Sequence, residues 1–579
     1  MIDYQVPTSQ FLSVHRAGSA AWLPEAALGR EVARCFGTPA FVYNAEYLRQ
    51  NYADIRSQID ASVDLLYSIK ANPNAAIVHC LSQCGAGAEV SSHAELQIAL
   101  RVGVDPTSII FVGPAKSEEE IADCIRSGIY AIVVESEDEL FVIDRLAAQL
   151  GCTGPVVVML RVNPAFNNGG SGLTMSGKSR QFGIDVEQFP KLRSTLATLT
   201  NVRVIGFHMY MGTRYLDATP VVENTRQILT LSSELAKLLD IELEVVDVGG
   251  GFGVAYFSNE KPLDVDTVAR GVNAEVRRFR KEHPQARIII ELGRYFSASC
   301  GVMLTSVRYK KVSRGETFAI VDGGTNLHMA AVGLGSFAKR DFPLVNLSQN
   351  GTPADEETTV TGPLCTPSDT IARRVRLGTV EKGDILAVLL SGAYGPSASP
   401  TGFLSHGFPN EVLVDGPNLY LVRPKDSVED IVSRYRLPDG RSLSNEGLEF
   451  TLSVRLSASA GHYAGGVVDG AHILKLFGDA VTGLAARLDG DESLLQSWGD
   501  VKFEKPVRPG DFIIVKARVT KQKRLRRFVE VEAMRVVRAT TPDSTAVNWL
   551  AVPERVASAS GIFVIPFGKR DAKVWEAAQ

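Results

Sequence analysis

From residue 37 to about residue 300 the sequence alternates between two periodicities, and this alternation limits the possible folds more than any other property of the chain. Short apolar, β-branched runs read as strands: LLYSIK, AEVSS, IIFVG, AIVVES, VVVMLRVN, VIGFHMY, EVVDVGGG and IIIELG. Between them lie stretches such as HAELQIALRVG and KSEEEIADCIRSG, whose apolar positions return at helical spacing. Eight strands with intervening helices over about 260 residues predict a (β/α)8 barrel, in which functional side chains project from the C-terminal strand ends. Lys70, Glu89, Glu135, Arg161, His208, Asp247 and Glu291 all end or directly follow an apolar run. A barrel interior does not accept unpaired charge, so their placement predicts a polar site at one mouth.

After residue 300 the helical spacing fades into strands and turns, as in SVRYKKV, TFAIVDGG and DILAVLLSGAYG. The expected organisation is a barrel over 37–300 and a β-rich domain over 301–420, completed by residues 1–36. A polar linker over 421–447 then leads to a third domain over 448–579. Such a division suits a chain of 579 residues, too long for one core. A charged fraction of 22% and a formal net charge of -4 offer no basic field for nucleic acid. No apolar run approaches a membrane span and the N-terminus has no signal-peptide pattern, so a cytoplasmic enzyme is expected. The seven scattered cysteines build no metal set. Cys80 and Cys84, one helical turn apart, lack a second pair or a nearby histidine and read as core thiols.

In order along the chain stand TPAFVYN, YSIKANPN, AGAEVSSHAEL, RQFGID, GFHMYMGT, DVGGGFG, ELGRYF, GPLCTPSD and SGAYG. Over roughly residues 37 to 420 this series resembles the fold-type III pyridoxal 5'-phosphate decarboxylases, the ornithine and diaminopimelate decarboxylase family, with an alanine racemase-like fold. The resemblance implies that Lys70 binds the cofactor aldehyde. It gives Gly249, Gly250, Gly251, Gly293, Arg294 and Thr213 to the cofactor phosphate, and His208 to stacking on the ring. Glu291 would keep the pyridine nitrogen protonated, which favours decarboxylation over the racemases of this fold, where an arginine takes that place. Cys365 would return a proton to Cα from a partner subunit, with Asp369 and Tyr394 crossing the same interface, so a homodimer with shared sites is implied.

The departures bear on substrate. Thr366 stands where ornithine enzymes carry an acid for a distal amine, and FLSHGFPNE, with His406, stands where diaminopimelate enzymes carry an arginine. The spacing from His208 to Gly212 and Thr213 is two residues longer than in the ornithine enzymes, and residues 166–181 are expected to form a mobile lid. The CTPxD form resembles members acting on modified or carrier-linked amino acids.

Residues 448–579 predict one long apolar helix, with Ile473, Leu474, Phe477, Val481 and Leu484 spaced for burial, followed by strands. HYAGGVVDGAHILKLFGD, LDGDESL and PVRPGDFIIVKARV resemble hotdog enzymes of the 3-aminobutyryl-CoA ammonia-lyase family. That resemblance implies a CoA or phosphopantetheine thioester as substrate handle and makes His462 and Asp469 the acid–base candidates, although Asp469 is also placed to cap the helix. Three functions compete. The first is a bifunctional decarboxylase and thioester lyase. The second is a decarboxylase whose hotdog domain only binds a carrier protein or dimerises. The third is a racemase or cofactor-carrying regulator.

Overall fold

The computed structural model describes residues 21–565 except 167–168, 172, 258, 330–340, 349–355, 439–448, 464–465, 524 and 541–545. The chain divides into two compact units, one reaching to Lys425 and the other beginning at Asp426.

In the first unit all eight predicted barrel strands form: β1 Val63–Ser68, β2 Gly87–Val90, β3 Ile109–Phe111, β4 Ala131–Val134, β5 Val156–Asn163, β6 Val202–His208, β7 Val245–Gly250 and β8 Arg287–Leu292. Each pairs in parallel with its neighbours in sequence, β8 pairs with β1, and the β4–β5 pairing completes the ring. Side chains alternate across it. Leu66, Ile110, Val133, Met159, Ile205, Val245 and Ile289 form a separate apolar cluster, while alternate residues such as Tyr67, Phe111, Val134 and Leu160 join the larger core. A period of two therefore sends Glu135, Arg161, Asp247 and Glu291, each two residues beyond that cluster, to the same face.

His208 breaks this arithmetic, because two residues beyond Ile205 stands Phe207, which belongs to the larger core. The β5–β6 register slips between Val158 and Met159, so that Val204 and Gly206 become consecutive partners. This bulge shifts the parity of β6 and returns His208 to the interior. Gly206 permits it, since a Cβ there would collide with the Val245 carbonyl.

The second domain of this unit is a nine-stranded sheet that includes Gly301–Ser313, Glu316–Val321, Asn410–Asp415 and Asn418–Arg423. Two expected boundaries differ. Strand Ala40–Asn44, assigned to the barrel segment from its sequence, pairs antiparallel with Gly301–Ser313 and parallel with Asn410–Asp415, whereas residues 26–36 form a helix. Asn418–Arg423 continues that sheet into the stretch expected to be linker, which also contains a short helix, Val428–Val432, closed by a Ser427–Asp430 capping box.

In this unit His328 is 1% exposed, edge-on to Phe41 and tilted against Phe342, with Nε2 3.0 Å from Ser391 Oγ and no partner at Nδ1 among the described residues. Burial alone pushes its pKa down from 6.5 to about 4. The folded value lies below the unfolded one, so its stabilising contribution is complete above about pH 6.5 and is lost as pH falls through about 4. The expected loss is about 3 kcal/mol, measurable by urea unfolding of the larger unit at about pH 7.5 and 4.5. His328→Asn should flatten that slope, and an unchanged slope would contradict the assignment.

The second unit contains a five-stranded antiparallel sheet ordered Glu449–Arg455, Phe512–Lys523, Arg526–Ala539, Val547–Val564 and Leu494–Phe503. Helix Gly470–Asp489 covers one face, burying Ile473, Phe477, Val481 and Leu484 against Val515, Val531 and Ala559. Among the described residues no helix is long and apolar enough to cross a membrane.

Candidate active site

At the C-terminal mouth of the barrel, Lys70 follows β1 in a turn, Ile69–Ala71. Its Nζ donates to both oxygens of Glu89, at 2.9 and 2.8 Å, and lies 5.6 Å from the Tyr210 ring centre. The Glu89 side chain is 0% exposed, whereas Lys70 keeps 37% because it faces a cavity. Burial alone would lower the lysine pKa, but the carboxylates of Glu89 and then Glu291 raise it.

The floor of the cavity is His208 and Glu291, with Nε2 and Oε1 3.2 Å apart. Asp247 lies beside them, Oδ1 accepting the Gly249 N–H at 2.8 Å. Ligand-type atoms of the three residues fall within 4.8 Å of one another. Burial opposes ionisation of both acids, yet His208, followed by Lys70 and Arg161, holds Glu291 down at about 2. Asp247 is pushed well up by burial and by the Glu291 charge, so Glu291 carries the negative charge and Asp247 the proton.

One wall of the cavity holds Arg161, whose Nη1 donates to Glu135 at 2.6 Å while the guanidinium covers the Phe182 ring at 4.7 Å. The other end holds Thr213, Arg294 and Tyr394. Arg294 lies 4.4 Å from the Tyr394 ring centre, and its buried Nε has no partner among the described residues. Tyr394 has φ +53° and donates its N–H to the Ala71 carbonyl at 2.7 Å, so a strained residue ties this end to the Lys70 turn.

The cavity measures about 410 Å³. It takes in Lys70, His208, Thr213, Glu291 and Arg294 from the sequence-predicted set, but not the glycines, and it takes in Tyr394 of the same chain, where the resemblance implied a Tyr394 reaching across the interface. A Cβ at Gly250 would strike the Glu291 carbonyl and one at Gly251 the Gly212 carbonyl, while one at Gly293 would lie 2.8 Å from Ala71 Cβ. These glycines let the loops after β1, β6, β7 and β8 converge, while Gly249 has φ +68° and donates to Asp247.

The substrate residues fall elsewhere. Asp369, expected to meet substrate, is 2% exposed and accepts from the Thr325 N–H (2.7 Å), Thr325 Oγ1 (2.9 Å) and Leu364 N–H (2.7 Å). In its own chain its carboxylate is occupied in shaping the loop of Cys365. Cys365 and His406 are exposed, Thr366 Oγ1 pairs with Ser368 Oγ, and none of them lines the cavity of its own chain.

Arg161, Tyr210, Met175 and Phe182 also line the cavity, although the motifs gave them no role. Tyr210 sits on the longer turn after His208. Part of the expected lid, residues 167–168 and 172, lies outside the described residues. Beyond them Leu173–Thr174 pairs with Gly212–Thr213, Met175 N–H donates to the Met211 carbonyl, and Ser176 Oγ donates to the Tyr210 carbonyl.

In the second unit Asp469 Oδ1 accepts the His472 N–H at 2.6 Å as helix cap, leaving Oδ2 3.9 Å from Nδ1 of His462. The His462 side chain is 68% exposed. A cavity of about 370 Å³ opens there, lined among others by Tyr463, Asp469, Gly470, Phe503 and Lys505.

Residues 46–298 match the family described as "Pyridoxal-dependent decarboxylase, pyridoxal binding domain". The L-glutamyl-[BtrI acyl-carrier protein] decarboxylase of Niallia circulans is 36% identical over 402 residues, 69% of this chain and 94% of that protein. The chain belongs to the pyridoxal-dependent decarboxylase family. The diaminopimelate decarboxylase of Pseudomonas aeruginosa is 31% identical, over 69% of this chain and 93% of its own length. The structure of the M. jannaschii diaminopimelate decarboxylase with L-lysine aligns at a TM-score of 0.66 and 27% identity, covering 75% of this chain and 99% of that one. The residues fit the family's cofactor, pyridoxal phosphate: an accessible lysine, an ionised floor carboxylate, and at the far end a buried guanidinium nitrogen with no partner among the described residues.

Proposed function

We propose that this chain decarboxylates an α-amino acid whose distal end is conjugated, an acyl-carrier or pantetheine thioester being the favoured form. The observation that carries the reading is the cavity wall. Val112, Pro114, Leu173, Met175 and Phe182 are its apolar lining, and Lys70 and Arg161 are already paired with Glu89 and Glu135. A distal charge on the substrate finds no spare counter-ion among these residues, and Thr366 offers only a hydroxyl. The carrier-protein decarboxylase among the relatives supports the same substrate class.

Pyridoxal phosphate bound here supplies an electron-accepting ring conjugated to the substrate nitrogen. Glu291 would hold a proton at the ring nitrogen, His208 would support the ring, and Arg294, Thr213, Tyr394 and the backbone at Gly249–Gly251 and Gly293 would hold the phosphate. Lys70 would hold the cofactor through its aldehyde carbon, with its amine open to the cavity. A partner copy's exposed Cys365 loop completes the site and returns the proton to Cα, so the working form is a homodimer.

The C-terminal unit, one helix laid on an antiparallel sheet, is read as a hotdog domain that handles a β-amino or related thioester. The remaining Asp469 oxygen beside His462, at the N-terminal end of a buried helix, favours proton transfer there. Carrier binding or dimerisation alone is the alternative. The racemase reading is set aside, because Glu291 stands on the floor and the relatives are decarboxylases.

One assay tests both units. Carbon dioxide release should show kcat/KM at least about 100-fold higher for L-glutamyl-pantetheine or a glutamyl carrier protein than for free glutamate, lysine, ornithine or diaminopimelate. Equal or better turnover of a free amino acid overturns the conjugate reading. Ammonia release from a panel of β-amino thioesters in the same mixtures reads the second unit, and its absence throughout leaves only the binding role.

A further inference from the structure

Arg294 does not stand alone at its end of the cavity. Its Nη1 donates to the Tyr256 hydroxyl at 2.8 Å, and its guanidinium lies 5.5 Å from that ring and 4.4 Å from the ring of Tyr394. Tyr256 does not line the cavity and is 3% exposed. Its N–H donates to Glu260 Oε2 at 3.0 Å, and its ring packs 4.7 Å from Phe342. Glu260 also accepts from Arg214, the residue after Thr213, at 2.8 Å, and the Arg214 guanidinium lies 5.4 Å from the same Tyr256 ring. Tyr256 is thus the node through which the Arg294 and Thr213 sides of the anion end are tied.

We infer that Tyr256 is a positioning residue that sets the plane of the Arg294 guanidinium for the phosphate of the cofactor. The chemistry of the partner matters. A carboxylate bonded to Nη1 would neutralise the guanidinium and compete with the incoming anion, whereas a phenol oxygen orients it and leaves its full charge for the ligand. A guanidinium in a fixed plane also loses less freedom on binding, so the orientation appears as affinity for the phosphate and not for the rest of the cofactor.

The inference rests on the assignment of Arg294 to the cofactor phosphate, and calorimetric titration with two ligands separates the two claims. Pyridoxal phosphate and pyridoxal, which lacks the phosphate, are titrated into the full chain and into Tyr256→Phe and Arg294→Gln. Loss of one hydrogen bond to a charged group predicts about tenfold weaker pyridoxal phosphate binding in Tyr256→Phe, with pyridoxal affinity unchanged. Arg294→Gln should lose about a hundredfold for the phosphorylated ligand alone. If Arg294→Gln discriminates and Tyr256→Phe matches wild type, the positioning role is wrong and the phosphate assignment stands. If Arg294→Gln does not discriminate, the phosphate assignment itself falls. Equal weakening of both ligands by Tyr256→Phe reduces the residue to a packing role and overturns the inference.

Discussion

Lys70→Ala is expected to lower carbon dioxide release by about four orders of magnitude and to abolish borohydride fixation of the cofactor to the protein. Lys70 lines the cavity together with Glu291 and Arg294, and its side chain is open to that space. The variant has a second, structural effect. Glu89 is fully buried, and without Lys70 its described side-chain hydrogen bonds reduce to one, from Ser91 Oγ. Removing one partner of a fully buried pair costs about 3–5 kcal/mol, and the partial exposure of Lys70 reduces this to about 2 kcal/mol. Lys70→Ala combined with Glu89→Gln should recover most of that stability and none of the activity, which separates the two effects by thermal unfolding and turnover. Residual turnover above about 1% of wild type would remove Lys70 from the role.

How much of this was legible depended on the range of the interaction concerned. The eight barrel strands read directly, because each is a local run whose neighbours repeat the same pattern. The inward placement of Glu135, Arg161, Asp247 and Glu291 follows from a period of two. His208 does not follow, since its orientation depends on a register slip against β5 that no local pattern reveals. Strand Ala40–Asn44 looks like any barrel strand, and only its pairing with residues more than 250 positions away assigns it to the other sheet. The hydrogen bonds that hold Asp369 are hidden for the same reason, because the Thr325 donors stand 44 residues upstream. In the C-terminal unit the helix was visible from its apolar spacing. Asp469 caps that helix with one oxygen and has the other 3.9 Å from His462 Nδ1, a pairing that spacing along the chain does not give.

Glu291→Gln should reduce kcat by about 10² to 10³ while KM changes by less than about threefold, because the proton it holds on the ring nitrogen stabilises the negative charge that the ring takes up in the transition state and adds little to substrate binding. The amide keeps the shape and a contact to His208 but no longer holds a proton at the ring nitrogen. The neighbouring carboxyl makes the outcome more specific. Asp247 is kept protonated by burial and in part by the Glu291 charge, so removing that charge lowers its pKa toward ionisation and lets it replace some of the lost field. Asp247→Asn alone should therefore cost less than about tenfold, whereas the double variant should lose more than the product of the two single effects. Steady-state kcat and KM for the four proteins decide the matter. Multiplicative losses would mean that Asp247 never assumes the charge, and a Glu291→Gln defect confined to KM would move Glu291 from the chemistry to binding.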